Sequence, residues 1–248
     1  MSTASSGGSA AFNSPARPSA ISSLLGVWAL FLAFLLLQVG NGLQRILLPM
    51  RAESEGFGAG SMGLVMGVHF AGYLLGAKGI PRALSSVGHI RVFAALASTA
   101  STAVLINAVL VLPASWAAVY FIGGVCNAGV LVILESWLND RATNETRGSI
   151  LGAYMMIMMG GTAIGQLLLN LGDPTGFELF VLSSVLISLA VVPVTLSAST
   201  AAPIPSLETM PLRELYRTIP AAVVGIMLCS FVQSASTSMA AIYGTASG

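Results

Sequence analysis

Long, almost purely apolar runs alternate along this chain with short polar interruptions. Seven runs reach spanning length, at about 23–48, 60–80, 91–112, 114–136, 148–171, 177–198 and 219–243. A bilayer core about 30 Å thick needs roughly 20 apolar residues in a helix. Lipid offers no water to an open backbone, so each run is predicted as a transmembrane helix. Small residues recur closely in "GLVMGVHFAGYLLGAKG" (Gly63, Gly67, Ala71, Gly72, Gly76), which predicts a face that a neighbouring backbone can approach. No internal sequence repeat is evident between the first three runs and the next three.

The interruptions divide the chain. Residues 1–22 are rich in Ser, Ala, Gly and Pro and read as a disordered cytoplasmic tail. Residues 23–198 read as a six-helix transmembrane bundle. Residues 199–218 read as a cytoplasmic linker, with three prolines in "PIPSLETMPLRELYR", and 219–248 as a seventh transmembrane helix.

Composition sharpens this into an all-α integral membrane protein. Charged residues are 8% of the chain and hydrophobic ones 55%, where a soluble domain carries roughly a quarter charged residues. A water-facing surface cannot be built from so few charges, so the bilayer itself is the main partner. The net charge of +1 gives no pull toward nucleic acid. Cys126 and Cys229 both lie inside apolar runs, so neither a disulfide framework nor a metal site is expected. No cofactor is implied.

The ten Lys and Arg residues set an orientation. Arg17, Lys78, Arg82, Arg91, Arg141, Arg147, Arg213 and Arg217 fall on one side of the membrane, and Arg45 and Arg51 toward the other. The positive-inside rule makes the N-terminus and the basic links cytoplasmic. That explains the charge gathered in "ILESWLNDRATNETRG", where Glu135, Asp140, Arg141, Glu145 and Arg147 accompany a cytoplasmic reversal. A sequon at Asn144 would go unmodified there.

Three local patterns resemble the major facilitator superfamily, in a branch like the bacterial YcaD-type transporters. In "PRALSSVGHIRVF" (Pro81–Phe93), Gly88 matches the second glycine of a cytoplasmic Gly–Asp–Gly–Arg signature and Arg91 its basic end, while Ser85 stands where the family has Asp. In "YFIGGVCNAG", Gly124 matches the glycine of an Arg-Phe-x-x-Gly pattern, with Tyr120 in the Arg position. Gly152, Gly161 and Gly165 partly match an antiporter signature, with Gln166 replacing its Pro and Leu169–Asn170 its final glycine pair. The resemblance implies a secondary transporter of the bacterial inner membrane, made of two six-helix bundles and carrying a small-molecule substrate, with a proton or other ion as a coupling partner. The chain would then be the N-terminal bundle plus one helix of an incomplete twelve-helix protein, and a second six-helix bundle is expected in the same or another chain.

Candidate residues follow. Gln38, Asn41 and Arg45 recur on one face of the first helix, and polar groups at membrane depth turn toward a bundle interior or a wet cavity. Arg45 fits an anionic group or snorkels to the interface. His69 titrates near neutral pH or bonds a carbonyl. Asn127, Gln166, Asn170 and Gln233 complete a hydrogen-bonding cavity, or tie helices together. Arg82, Gly88, Arg91, Glu135 and Arg147 are candidates for a cytoplasmic gate. Glu135 sits at a helix C-terminus, which disfavours a carboxylate, so an ion pair with Arg82, Arg91 or Arg147 is expected when that side closes. A solvated Glu beside an anchoring Trp137 is the alternative.

Other classes fit less well. A seven-helix receptor would place its N-terminus outside, and a half-transporter fragment would not transport alone. No H-E-x-x-H, G-x-S-x-G, paired intramembrane Asp or phosphate-binding loop occurs, so neither an enzyme nor an ATP-driven pump is expected.

Overall fold

The computed structural model describes residues 28–196, 212–229 and 232. The tail 1–22, most of the linker and Gln233 lie outside the described residues. The helices are α1 (Trp28–Ser54), α2 (Ala59–Val87), α3 (His89–Val109), α4 (Pro113–Arg141), α5 (Arg147–Leu167, extended by a 3-10 turn at Leu168–Leu171), α6 (Glu178–Leu189), α7 (Val191–Leu196) and α8 (Leu212–Thr218). A further helix, α9, covers Pro220–Cys229. No strand occurs among the described residues. Among the described residues, six stretches are long and apolar enough to span a membrane: α1 to α5, and α6 with α7. The chain is an all-α, multi-pass membrane protein.

The expected boundaries need two corrections. The second run was expected to end near residue 80, but α2 continues to Val87 and stops where Gly88 turns to φ 93°. An apolar run ends where lipid ends, whereas a helix ends where its hydrogen-bond ladder does. The sixth run was expected as one helix, but it breaks at Ala190. Pro193 has no N–H for the Leu189 carbonyl and its ring crowds that oxygen. Of the seventh run, the described residues include the apolar helix Pro220–Cys229, and most of the remainder lies outside them.

The chain divides into two compact units, Met1–Ile204 and Pro205–Gly248. In the second, α8 and α9 are separated at Ile219, because the residue before a proline is disfavoured in helical geometry. In the first, α2 packs along α4 and α5 along α1, α3 packs on α4 and α6 on α1, and α3 and α6 cross each other. Exchanging α1 with α4, α2 with α5 and α3 with α6 leaves this pattern unchanged. Since α1 and α4 run in opposite directions through the membrane, the two halves form an inverted repeat.

Glycines fix the register of the repeat. A Cβ on Gly124 of α4 would meet the backbone oxygen of His69 on α2, and one on Gly42 of α1 would meet that of Thr162 on α5. Gly72 meets the Phe121 oxygen and Gly165 the Val39 oxygen in the same relation. Gly42 thus corresponds to Gly124, and Gly72 to Gly165. Laying Met62–Gly76 over Met155–Leu169 in that register gives identity at six of fifteen positions (Met62/Met155, Met66/Met159, Gly67/Gly160, Gly72/Gly165, Leu74/Leu167 and Leu75/Leu168). The repeat that had not been evident in the sequence is there, but too short to find without its register. On the pseudo-axis, Ser101 of α3 and Ser184 of α6 bond through their hydroxyls at 2.7 Å, and Ser188 donates to Ser101 at 2.7 Å.

Two buried tryptophans set the depth. Trp116 and Trp137 are separated by 21 positions on α4, about 31 Å along the axis, close to the thickness of the hydrocarbon core. Trp116 Nε1 donates to the Asn107 carbonyl at 3.1 Å, and Trp137 stacks on His89 at 5.5 Å. The two ends of α3 are therefore clasped by α4 at both membrane boundaries.

Candidate functional site

The bundle is unevenly covered. In their apolar windows α2 is 17% buried and α5 22% buried, against 44–56% for the other spanning helices. What matters is which polar groups the helices carry beside these less covered surfaces.

Toward the Arg51 end of the bundle, Arg45 is exposed on α1, and its charge reaches His69 on α2 and Tyr120 on α4. His69 Nδ1 donates to the Tyr120 carbonyl at 3.2 Å, and the two rings lie 5.5 Å apart. One turn beyond His69 comes Tyr73, and two turns before Glu135 on α4 comes half-buried Asn127. Spacings of four and eight keep each pair on one helical face. Glu135 is exposed toward the other, basic end and its charge reaches Tyr73. Tyr154 of α5 donates to Glu135 Oε1 at 3.2 Å, while its ring stacks on Phe34 of α1 at 4.8 Å. The polar groups on α1, α2, α4 and α5 form a column, cationic at one end and anionic at the other. By helix rise Arg45 and Glu135 stand about 20 Å apart along the bundle.

The other cavity candidates lie elsewhere. Gln38 is buried between α1 and α5, and its Nε2 donates to the Met158 carbonyl at 3.4 Å. It is an interhelical tie in this arrangement. Asn41 is half-buried and Gln166 exposed. Asn170 donates to the Leu167 carbonyl at 3.0 Å and so closes the end of its own helix. Gln233 is outside the described residues.

The gate candidates gather at the basic end, but not as an ion pair. Among the described residues no carboxylate lies within ion-pair distance of Arg82, Arg91 or Arg147, and the pair that does form is Arg51–Glu55 at 2.9 Å, at the opposite end. Arg82 bonds the Lys78 carbonyl of its own helix at 3.2 Å, and Arg91 is exposed. Gly88 is the one-residue joint between α2 and α3. Arg147 donates to Asn139 Oδ1 at 3.0 Å. Asn139 and Glu135 are one turn apart on α4, while Arg147 and Tyr154 are two turns apart on α5. The ends of α4 and α5 are thus tied by two polar rungs.

Tyr73, Tyr154 and the Ser101–Ser184–Ser188 cluster did not stand out in the sequence. Tyr73 was findable as the residue four after His69. Tyr154 was less so, since a phenol amid methionines looks like a core aromatic until its partner Glu135 is known.

Comparison with known proteins gives a consistent picture. The chain is 32% identical over 145 residues to an uncharacterized MFS-type transporter of Enterobacter sp. strain 638, a match covering 58% of this chain and 38% of that protein. It is 32% identical over 145 residues to the uncharacterized MFS-type transporter YcaD of Escherichia fergusonii, with the same coverage. The YcaD of Escherichia coli O139:H28 is 30% identical over 149 residues. The matches span 38% of the length of these relatives. No family model matches the chain, and no solved structure does. The YcaD-like resemblance read from the sequence is borne out over the matched stretch.

Proposed function

We propose that this chain is the N-terminal bundle of a secondary transporter that moves a small solute across the bacterial inner membrane by alternating access. The observation carrying this reading is the polar column from Arg45 through His69, Tyr73 and Asn127 to Glu135, on a bundle whose α2 and α5 are sparsely covered. Ionisable groups at membrane depth are expensive unless they serve a pathway or a partner. An inverted repeat supplies two related joints about which such a bundle rocks.

In this reading the basic end is cytoplasmic, and a second six-helix bundle closes the column into a cavity. Arg45 is the cationic anchor, suited to a carboxylate or phosphate on the solute. Glu135, held by Tyr154, is the coupling site for a proton or other cation. Arg147 exchanges Asn139 for Glu135 when the cytoplasmic side closes, which keeps the expected Glu135 ion pair for a second state.

The test uses the protein expressed from its complete gene. Small-molecule pools inside and outside cells are compared for the wild type, Arg45→Gln and an empty control. The proposal expects one chemical class, with an anionic group, to shift several-fold with the wild type and not with Arg45→Gln. Wild-type protein that reaches the membrane and shifts no solute would contradict it.

A further inference from the structure

His89 is the first residue of α3 and follows the one-residue joint at Gly88. Only 2% of it is exposed, and its Nδ1 has no hydrogen-bond partner among the described residues. An orphaned polar atom in so buried a place needs an explanation. Its ring lies flat on Trp137, with centroids 5.5 Å apart and planes 16° apart. Asp140 follows Trp137 by one helical turn on α4, is exposed, and its charge reaches the imidazole.

The remaining charged groups near this corner are cationic or already engaged. Arg91, two positions along α3, is exposed. Arg82 on α2 bonds the Lys78 carbonyl, and Lys78 itself is exposed. Arg141 on α4 has an interaction of its own, and Glu135 is bonded by Tyr154. The α7 segment packed against α3 (Val191–Leu196) holds no ionisable residue. The link itself, from Gly79 to Ile90, contains no carboxylate, and Ser85 spends its hydroxyl on the Arg82 carbonyl.

We propose that His89 is a proton-binding latch, which on taking up a proton bonds the Asp140 carboxylate and fastens the α2–α3 link to the end of α4. A neutral imidazole has one donor and one acceptor nitrogen, whereas the protonated ring has two donors. The arrangement seen here, with Nδ1 unpartnered, is the released state. Protonation places a cation over the Trp137 face, a favourable stack. It also creates a buried charge that must be paired, and Asp140 is the anion in reach. The exposed Asp140 side chain is free to change rotamer as the latch closes. That this latch controls the cytoplasmic gate rests on the transporter reading above. Proton binding itself does not.

His69 and His89 are the only histidines, which makes the test direct. The full chain in lipid nanodiscs, with isotope-labelled histidine, is titrated by NMR from pH 8 to pH 5. The two rings are assigned with His69→Gln and His89→Gln. The proposal expects His89 to take up a proton within that range, and Asp140→Asn to lower its proton affinity at least tenfold while Asp140→Glu retains it. Tryptophan emission should fall with the same midpoint, since a protonated ring stacked on indole quenches it, and should lose that step in His89→Gln. A His89 midpoint unchanged by Asp140→Asn, or a ring that stays neutral down to pH 5, would overturn the latch. Neither result depends on transport, so failure here leaves the transporter reading standing, and failure of transport leaves the latch.

Discussion

The α1–α5 and α2–α4 interfaces are the same joint built twice, and they differ in what they carry. In both, a glycine on each helix lets the partner backbone come close, at Gly42 with Gly165 and at Gly124 with Gly72. At the α1–α5 joint the accompanying polar group is Gln38, buried and bonded to a carbonyl. At the α2–α4 joint it is half-buried His69, within reach of Arg45. In the repeat's register Arg45 corresponds to Asn127, and Tyr73 to Gln166. Packing obeys the symmetry and charge breaks it. The side chains that break it (Arg45, His69, Tyr73) are the ones a shared scaffold does not require, whereas Glu135 corresponds to Glu53.

The largest expected effect removes the joint. Gly124→Val and Gly42→Val each drive a side chain into backbone oxygen, at 2.5 Å already for a Cβ on Gly42. Backbone cannot yield as a flexible side chain does, so a loss of about 3 kcal/mol or more is expected, read as lost monodisperse protein and a lower melting temperature. Gly63→Ala meets nothing within 4 Å, and should stay within about 0.5 kcal/mol of the parent. Equal tolerance at Gly63 and Gly124 would dissolve the joint.

Tyr154→Phe comes next. It keeps the stack on Phe34 and deletes the bond to Glu135, for an expected loss of about 1 kcal/mol in thermal unfolding. Gln38→Leu should cost still less, about 0.6 kcal/mol, the average of a membrane-buried side-chain hydrogen bond. A larger loss would mean that Gln38 does more than tie helices.

The smallest effect is in the α5–α6 loop. Thr175 donates to the Asp173 carboxylate from its hydroxyl at 2.7 Å and its backbone N–H at 2.8 Å. These bonds hold Asp173 below its ordinary value. Depression in the folded state means the contribution is present above the ordinary carboxylate range and is lost as pH falls through the lowered value. Asp173→Asn should therefore flatten a slight acid-side decline in melting temperature and change little at pH 7.

How much of this was legible in the sequence depends on whether the signal is local. Span length and apolarity gave the six crossings of the described residues, because a membrane helix satisfies its own backbone. The break at Ala190 was legible in principle from Pro193. The repeat was not, because its symmetry is held by single glycines and one short stretch of identity, which mean little until the contacts give the register. Polar residues stand out in the apolar runs, but a sequence cannot say whether Gln38 and His69 face a path or a neighbouring helix. Glu135 was singled out for want of a partner. The partner is Tyr154, a neutral phenol, where charge-counting looked only for arginine.

The most direct test of the polar column is whether water reaches it from both sides. A cysteine placed at Asn127, in a background of Cys126→Ala and Cys229→Ala, is challenged with a membrane-impermeant thiol reagent in right-side-out and inside-out vesicles containing the complete gene product. The account predicts labelling from either side, with each side suppressed when the other is held open by a bound solute or cross-link. Labelling from one side only, or from neither, would contradict it and leave the column a buried or lipid-facing feature with no path through it.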